Sequence, residues 1–540
     1  MAACTTGESA QGQAPGDGPL GSHGSRTIPD NVRNVLVIMT DQHRVDSIGC
    51  LGNPHARTPN LDRIGEEGFA FTNAWTPTAI CTPARASLLT GKLPIHHQVL
   101  ANPEWNIAYQ TKIPLGTWTY TQELRDAGYN VGMVGKYHCG ANLPSCFGID
   151  DDTFWGAENP VKNERYVRWL ADNDLPPVHA HDFWRGELPG GRPGHILAAR
   201  LDQPEEATFE RFIADTAIER LRAYAADWKG DRRPFSLDVH FFGPHLPYFV
   251  PDEWFDLIDP ACVELPPSFG ETFAGKPPVQ QNYATYWSTS SFTNEQWKKL
   301  IAVYWGYVSM IDFEIGRIMD AARELGVLDD TALFFCADHG EFTGAHRLND
   351  KGPAMYDDIY KVPFIAHIPG VSRVGRSDAF VSLIDLPATV LEVAGLDPAL
   401  VEDGRSIVDL TRGDATGDGA PGNGAGGDAV SGWRQNIVCE FHGHHFPLQQ
   451  RMLRTRDFKL VVSHESVNEL YDLRSDPYEL NNVYTAPAYD EVRRELAHEL
   501  YRQLRERHDD SFAKWMAAMV DFDVELTNTA RSDWDEVEAR

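Results

Sequence analysis

The chain is short of several things, and each shortage argues against a class of function. Nowhere does it approach the roughly 18 to 20 consecutive apolar residues that cross a bilayer, so an integral membrane protein is not expected. Positive charge is scarce, with 48 Lys and Arg against 78 Asp and Glu and a net charge of −30. That field is opposite in sign to the one that attracts a nucleic-acid backbone or an anionic membrane, so neither is expected as a partner. Cysteine is sparse, 8 in 540 residues and scattered without zinc-ligand spacing. A chain of this length needs no disulfide staples. The first thirty residues lack the basic and apolar regions of an export signal and are rich in Gly, Ser, Ala and Pro. Residues 1–30 read as a flexible leader, and with the scattered thiols they set the expectation of a cytoplasmic protein.

What is present is an ordinary globular composition, 42% hydrophobic and 23% charged, enough to bury a large core. Four short apolar runs of strand length each end in polar, chemically capable residues. NVLVIM (34–39) leads into Thr40-Asp41-Gln42, and YNVGMVG (129–135) into Lys136-Tyr137-His138. FSLDVHFF (235–242) leads into Gly243-Pro244-His245, and ALFFC (332–336) into Ala337-Asp338-His339-Gly340. Helical patterns lie between them, among them VYWGYVSMIDFEIGRIMDAARELG with Gly326 as its stop. Strands alternating with helices predict an α/β fold with a mostly parallel sheet. Ligands of such sheets sit beyond the carboxyl ends of the strands, where all four clusters fall.

The α/β pattern continues through KVPFIAHIPG and IDLPATVLEVAGL, giving a catalytic domain over 31–410. The Gly-, Asp- and Ala-rich stretch 411–432 cannot bury a core and reads as a linker or mobile loop. QNIVCEF, QRMLRTR, FKLVVSH and NELYDL then predict a short antiparallel sheet, followed by a helix near 489–506, as a small α+β domain over 433–510. The tail, 511–540, contains the apolar stretch WMAAMVDF, a surface on which a homo-oligomer can assemble.

The sharpest local feature is Cys81-Thr82-Pro83-Ala84-Arg85, followed by ASLLTG. Pro83 suits a first helical turn, where its missing N–H is not needed, and this places Cys81 at a helix N-terminus. Arg85 follows four residues on, on the same helical face, within reach of the reacting residue or of an anion held there. Asp338-His339-Gly340 and Asp41-Gln42, at the ends of two strands, offer hard oxygen ligands and an imidazole. His240 lies inside a strand run and reads as a structural, hydrogen-bonded histidine.

CTPAR-ASLLTG resembles the signature of the type I sulfatases, of the alkaline-phosphatase-like superfamily, in which the motif cysteine is oxidised to formylglycine. The resemblance runs from about 31 to 500 and takes in TDQ, GKYHCG, PHLP, ADHGEFTGAH, Lys351, DGRS (403–406) and ELYDLRSDPYELNN. It implies that Asp41, Gln42, the group derived from Cys81, Asp338 and His339 surround one divalent metal. Many sulfatases have Asp where Gln42 stands and Asn where His339 stands. These departures lower the ligand charge and add a nitrogen, so Ca²⁺ is expected, with Mn²⁺ as the alternative.

The family further implies that the hydrated aldehyde attacks the sulfur of a bound sulfate ester. Arg85, Lys136 and Lys351 stabilise the charged oxygens, His245 or Lys351 protonates the leaving alcohol, and His138 acts as the base that releases sulfate. His346 is read as supporting the site from behind. The run Glu440-Phe441-His442-Gly443-His444-His445 is read as a rim or surface loop, with a second metal site as the alternative. A phosphonate monoester or phosphodiester hydrolase shares C-x-P-x-R and a similar metal set, but resembles this chain less at Lys136 and His138. A non-catalytic metal-binding homologue is the remaining alternative. The expected partners are a small sulfate ester, which the acidic surface favours over a sulfated polymer, and a formylglycine-generating system.

Overall fold

The computed structural model describes residues 28–103, 110–140, 142–150, 152–154, 160–412 and 432–522. Strands β1 (Asn34–Thr40), β2 (Phe69–Phe71), β3 (Asn130–Lys136), β4 (Asp152–Phe154), β5 (Phe235–His240), β6 (Thr331–Ala337), β7 (Phe364–His367) and β8 (Gly375–Ser377) form one sheet. Their order is β8-β2-β7-β6-β1-β5-β3-β4. β4, β3, β5, β1 and β6 run parallel, while β7 pairs antiparallel with both of its neighbours. The sheet is therefore mostly parallel, as predicted.

Alternation explains why the central strands read as unbroken apolar runs. In β1, Leu36 and Ile38 pack on one face of the sheet, and Val35, Val37 and Met39 on the other. A sheet covered on both faces favours apolar side chains until the strand ends; a mid-strand exception, Asp238 in β5, is buried against the Tyr120 hydroxyl. Helices α1 (Cys81–Thr90), α2 (Tyr120–Asp126), α3 (Phe209–Gly230), α4 (Asn294–Glu324) and α5 (Asp385–Ala394) supply the cover. α3 and α4 line the Leu36 side; α1, α2 and α5 line the Val37 side. α4 starts on a capping box, in which Thr293 Oγ1 accepts from the N–H of Gln296 (3.3 Å) and the Thr293 N–H donates to Gln296 Oε1 (2.8 Å). Gly326, at φ 59°, lies just past its end, where the stop was predicted.

Register brings the strand ends together. Thr40 lies opposite Ala337, and Met39 and Gly135 both lie opposite His240. The turns are tied to one another as well: the Asp41 N–H donates to Gly243 O (3.1 Å), Asp338 N–H to Thr40 O (3.2 Å) and His43 N–H to His339 O (2.9 Å).

Strands β9 (Ile437–Phe441), β10 (Gln450–Arg454), β11 (Phe458–Ser463) and β12 (Glu469–Asp472) form an antiparallel sheet in that order. Helices α6 (Asp490–Glu506) and α7 (Asp510–Met519) pack on it through Leu496, Leu500, Phe512 and Met516. The apolar face of the early tail is thus used within this unit, while Met519 stays 65% exposed. The leader up to residue 27, most of the Gly-rich stretch (413–431) and the tail beyond 522 lie outside the described residues. One unpredicted element is a three-stranded sheet of Ala180–Leu188, Arg192–Leu201 and Tyr248–Pro251. Its first strand is largely exposed and mixes charge with aromatics, and its second is half buried without a regular alternation, so no apolar pattern marks them. Among the described residues no helix is long and apolar enough to cross a membrane.

Candidate active site

Cys81 is the first residue of α1, and its helix begins as the motif predicts. The first intrahelical N–H to find a partner is that of Ala84, to Ile80 O at 3.0 Å. Pro83 therefore interrupts no hydrogen bond. The whole of α1 is buried, with Cys81 0% and Arg85 1% exposed. Arg85, one turn along, spans two strand ends: Nε donates to Asp338 Oδ2 (2.9 Å) and Nη2 to Asp41 Oδ2 (2.9 Å), while Nη1 donates to Lys136 O (2.6 Å). Lys136 Nζ donates to the same Asp41 oxygen at 2.6 Å and lies 5.1 Å over the ring of Phe242.

Asp41, Cys81, Asp338 and His339 present ligand atoms that all lie within 4.8 Å of one another. Cys81 Sγ is 3.1 Å from His339 Nε2 and 3.8 Å from Asp41 Oδ1. His339 Nδ1 lies 2.8 Å from Gly340 O, a carbonyl that only accepts, so Nδ1 carries a proton and Nε2 faces the cluster. Against burial, Asp338 and Cys81 push this imidazole up to about 9, so a metal at Nε2 would take the place of its second proton. Burial and the adjacent Asp41 carboxylate push Asp338 up. Asp41 is held well below the usual carboxylate range, because the cations Lys136 and Arg85 outweigh burial and the charge of Cys81. Two buried carboxylates forced this close repel each other, and a divalent cation relieves that repulsion. With the imidazole nitrogen turned inward, the donor set fits a metal. Gln42 sits beside it at a left-handed φ of 62°; its N–H donates to Asp338 Oδ1 (3.1 Å) and its Oε1 accepts from Lys351 Nζ (2.9 Å).

The remaining predicted residues close around Cys81. Against burial, which raises a thiol's pKa, Lys136, Lys351 and His339 hold Cys81 well below its ordinary value, helped by a hydrogen bond with His138. His245 also lies beside Cys81. Its Nδ1–H donates to Leu246 O (2.5 Å), which leaves Nε2 to accept from Lys351 Nζ at 2.8 Å. Lys351 donates a third time, to Asp350 Oδ1 (3.1 Å). Its three protons thus have three acceptors, and the charges of Asp350, Cys81 and Asp41 keep it cationic against burial.

His240 plays the structural part expected, with Nδ1 3.2 Å from Lys136 O and 3.4 Å from Arg85 Nη1. His346 does not support the site: its Nδ1 is 2.7 Å from Glu271 Oε2 and its ring stacks on Tyr356 at 3.6 Å. A left-handed φ of 49° turns it away from the strand ends, which loop sequence does not reveal. Sequence reasoning missed Asp350 and Glu341, both of which accept from Gln42 Nε2, and Tyr283, whose hydroxyl donates to Asp350 Oδ2 at 2.6 Å. Asp350 was legible only as the neighbour of Lys351. His444 and His445 reach Asp350 from the loop after β9.

Family comparison agrees with this geometry. A sulfatase family model matches residues 33–396, and the C-terminal model of N-sulphoglucosamine sulphohydrolase matches 344–506. The chain is 28% identical to the uncharacterized sulfatase YidJ of Escherichia coli (strain K12), covering 86% of this chain and 85% of that protein. It is 26% identical to an arylsulfatase of Clostridium perfringens, covering 88% and 95%. Its fold is similar to the crystal structure of a phosphonate monoester hydrolase of Agrobacterium radiobacter, with TM-score 0.72, 25% identity and coverage of 88% and 96%. The family match takes in the Cys81 helix and all four strand ends, and the chain belongs to the sulfatase family, sulfuric ester hydrolases of alkaline-phosphatase-like fold.

Proposed function

We infer that this enzyme hydrolyses small sulfate monoesters, using a formylglycine made from Cys81 and one Ca²⁺ held by Asp41, Gln42, Asp338 and His339. The observation that carries this reading is the convergence on Cys81 of two ammonium groups and three imidazoles, Lys136, Lys351, His138, His245 and His339, with Arg85 one helical turn away. When present, the metal supplies Lewis acidity, and the hydrated aldehyde supplies the attacking hydroxyl and a second hydroxyl for sulfate release. Lys136 and Lys351, both buried and both acting on the thiol, hold the anionic ester oxygens away from bulk water, in surroundings where charge interactions are strongest. Arg85 is committed to Asp41 and Asp338 and fixes those carboxylates in place. His245, a neutral acceptor toward Lys351, orients that ammonium to give a proton to the departing oxygen. His138 takes the proton from the second hydroxyl.

Cys81 is wholly buried, so its oxidation by a formylglycine-generating system precedes folding. All seven cysteines among the described residues are free thiols, which supports a reducing cytoplasm. The net charge of −30 supports a small ester over a sulfated polymer. Met519, exposed at the end of α7, is where a homo-oligomer contact would begin.

A second reading, phosphonate monoester or phosphodiester hydrolysis, is favoured by Gln42 and His339 in the metal set and by the phosphonate hydrolase likeness. Lys136 and His138 favour sulfate. Peptide mass spectrometry at Cys81, on protein from its native host, tests the nucleophile: an unmodified thiol in active enzyme overturns the reading. A kcat/KM for an aryl phosphonate ester above that for the matching aryl sulfate selects the second.

A further inference from the structure

Asp350, His444 and His445 form a second group whose ligand atoms lie within 4.8 Å of one another, apart from the Cys81 cluster. His444 Nε2 and His445 Nε2 are 3.8 and 3.7 Å from the same atom, Asp350 Oδ2. Those separations are too long for good hydrogen bonds. They are close to what one small cation imposes, since ligands bonded at about 2.1 Å stand roughly 3.4 Å apart in a tetrahedral site and about 3.6 Å apart in a trigonal one.

The backbone is bent to make this convergence. Consecutive side chains of an extended segment point to opposite sides, yet the rings of His444 and His445 lie 3.9 Å apart and face one carboxylate oxygen. His445 holds a left-handed φ of 58°, which costs energy for a residue other than glycine. Its Nδ1 is 3.2 Å from the Tyr286 hydroxyl, a partner that fixes the ring and leaves Nε2 pointing inward.

The carboxylate is also divided suitably. Asp350 Oδ1 takes Lys351 and Gln42, so the active-site contacts use one oxygen. Oδ2 faces the imidazoles and the Tyr283 hydroxyl, which also reaches Lys351 O and has a single proton to give. Turning that proton to the carbonyl frees Oδ2 for a cation.

We propose that Asp350, His444 and His445 bind a zinc-class divalent ion at the junction of the α/β unit and the small antiparallel sheet. Two nitrogens and one oxygen select a borderline ion such as Zn²⁺, whereas the hard donors beside Cys81 select Ca²⁺. The site is independent of the substrate assignment.

The test uses the full chain, stripped with chelator, refilled with Ca²⁺ and dialysed against Zn²⁺, with zinc per chain counted by elemental analysis. One equivalent is expected in the wild type, falling at least tenfold in His444→Ala and in His445→Ala and unchanged in His442→Ala, whose native ring pairs with Glu440 instead. Zinc content equal in the wild type and the two variants, or no zinc in the wild type, overturns the proposal. If a variant fails to fold by circular dichroism, Co²⁺ in place of Zn²⁺ in the wild type decides. Intense tetrahedral visible bands support the site, and weak octahedral ones overturn it.

Discussion

Replacing Arg85 with methionine keeps a side chain of similar length and removes the guanidinium that joins Asp41 to Asp338. Both contacts are 2.9 Å long and the arginine is 1% exposed, so water cannot replace it. Removing one partner of a buried ion pair costs about 3–5 kcal/mol, two to four orders of magnitude in the folding equilibrium. Among the described residues Lys136 still holds Asp41 but makes no ion pair with Asp338, which loses the Arg85 guanidinium. Calcium should then stabilise the variant more than the wild type, because it answers carboxylates that Arg85 otherwise neutralises. A ligand present at about 100 times its Kd contributes about 2.7 kcal/mol, and the tighter site gains more at equal concentration. Arg85→Lys should fall between the two, keeping the charge but losing the fork that reaches both carboxylates. Urea unfolding followed through the 14 tryptophans, with and without Ca²⁺, measures all of this. An unchanged midpoint in metal-free Arg85→Met, or equal calcium increments in variant and wild type, would refute the reasoning.

Three further outcomes follow from the geometry. Lys351→Ala should slow esters of poorly acidic alcohols by roughly 10²–10⁴ and nitrophenyl sulfate much less, because only the former need a proton; equal losses across a leaving-group series would remove Lys351 from that role. Burial pushes Asp238, which accepts from Tyr120, up to about 7, so the folded chain keeps a proton that the unfolded chain releases. That stability is present at acid pH and lost as pH rises through about 7, on the order of 1.4 kcal/mol per pH unit. Asp238→Asn should therefore raise the unfolding midpoint at pH 8 relative to wild type but not at pH 4, and the same shift at both would contradict it. Gly135 precedes Lys136 at φ 100°, and a Cβ there would stand 1.9 Å from His240 O in the adjacent strand. Gly135→Ala should cost several kcal/mol or prevent folding, and wild-type soluble yield and unfolding midpoint would exclude that account.

Much of the site can be read directly from the chain because a covered parallel sheet makes its own signal. Unbroken runs such as Asn34–Thr40 and Thr331–Ala337 tolerate polar groups only where they end, so Asp41, Lys136, His245 and Asp338 stand out as boundary residues. Cys81 and Arg85 are legible for a different reason: helical spacing alone puts them on one face. His346 shows the limit. Its neighbours in sequence are site residues, but one left-handed backbone angle sends it to Glu271.

The sequence by itself determined the alternation of strand and helix, the cluster at the strand ends and the chemistry those side chains offer, because each depends on local periodicity. Only the tertiary structure decided which charges neutralise which. Arg85 lies 253 residues from Asp338 in the chain, and Lys351 lies 309 from Gln42; no local pattern encodes those pairings. The same holds for Asp350 meeting His444 and His445, which the packing of the small sheet against the α/β unit brings together. In a low-dielectric interior every buried charge must find a partner, and the fold, not the motif, chooses it.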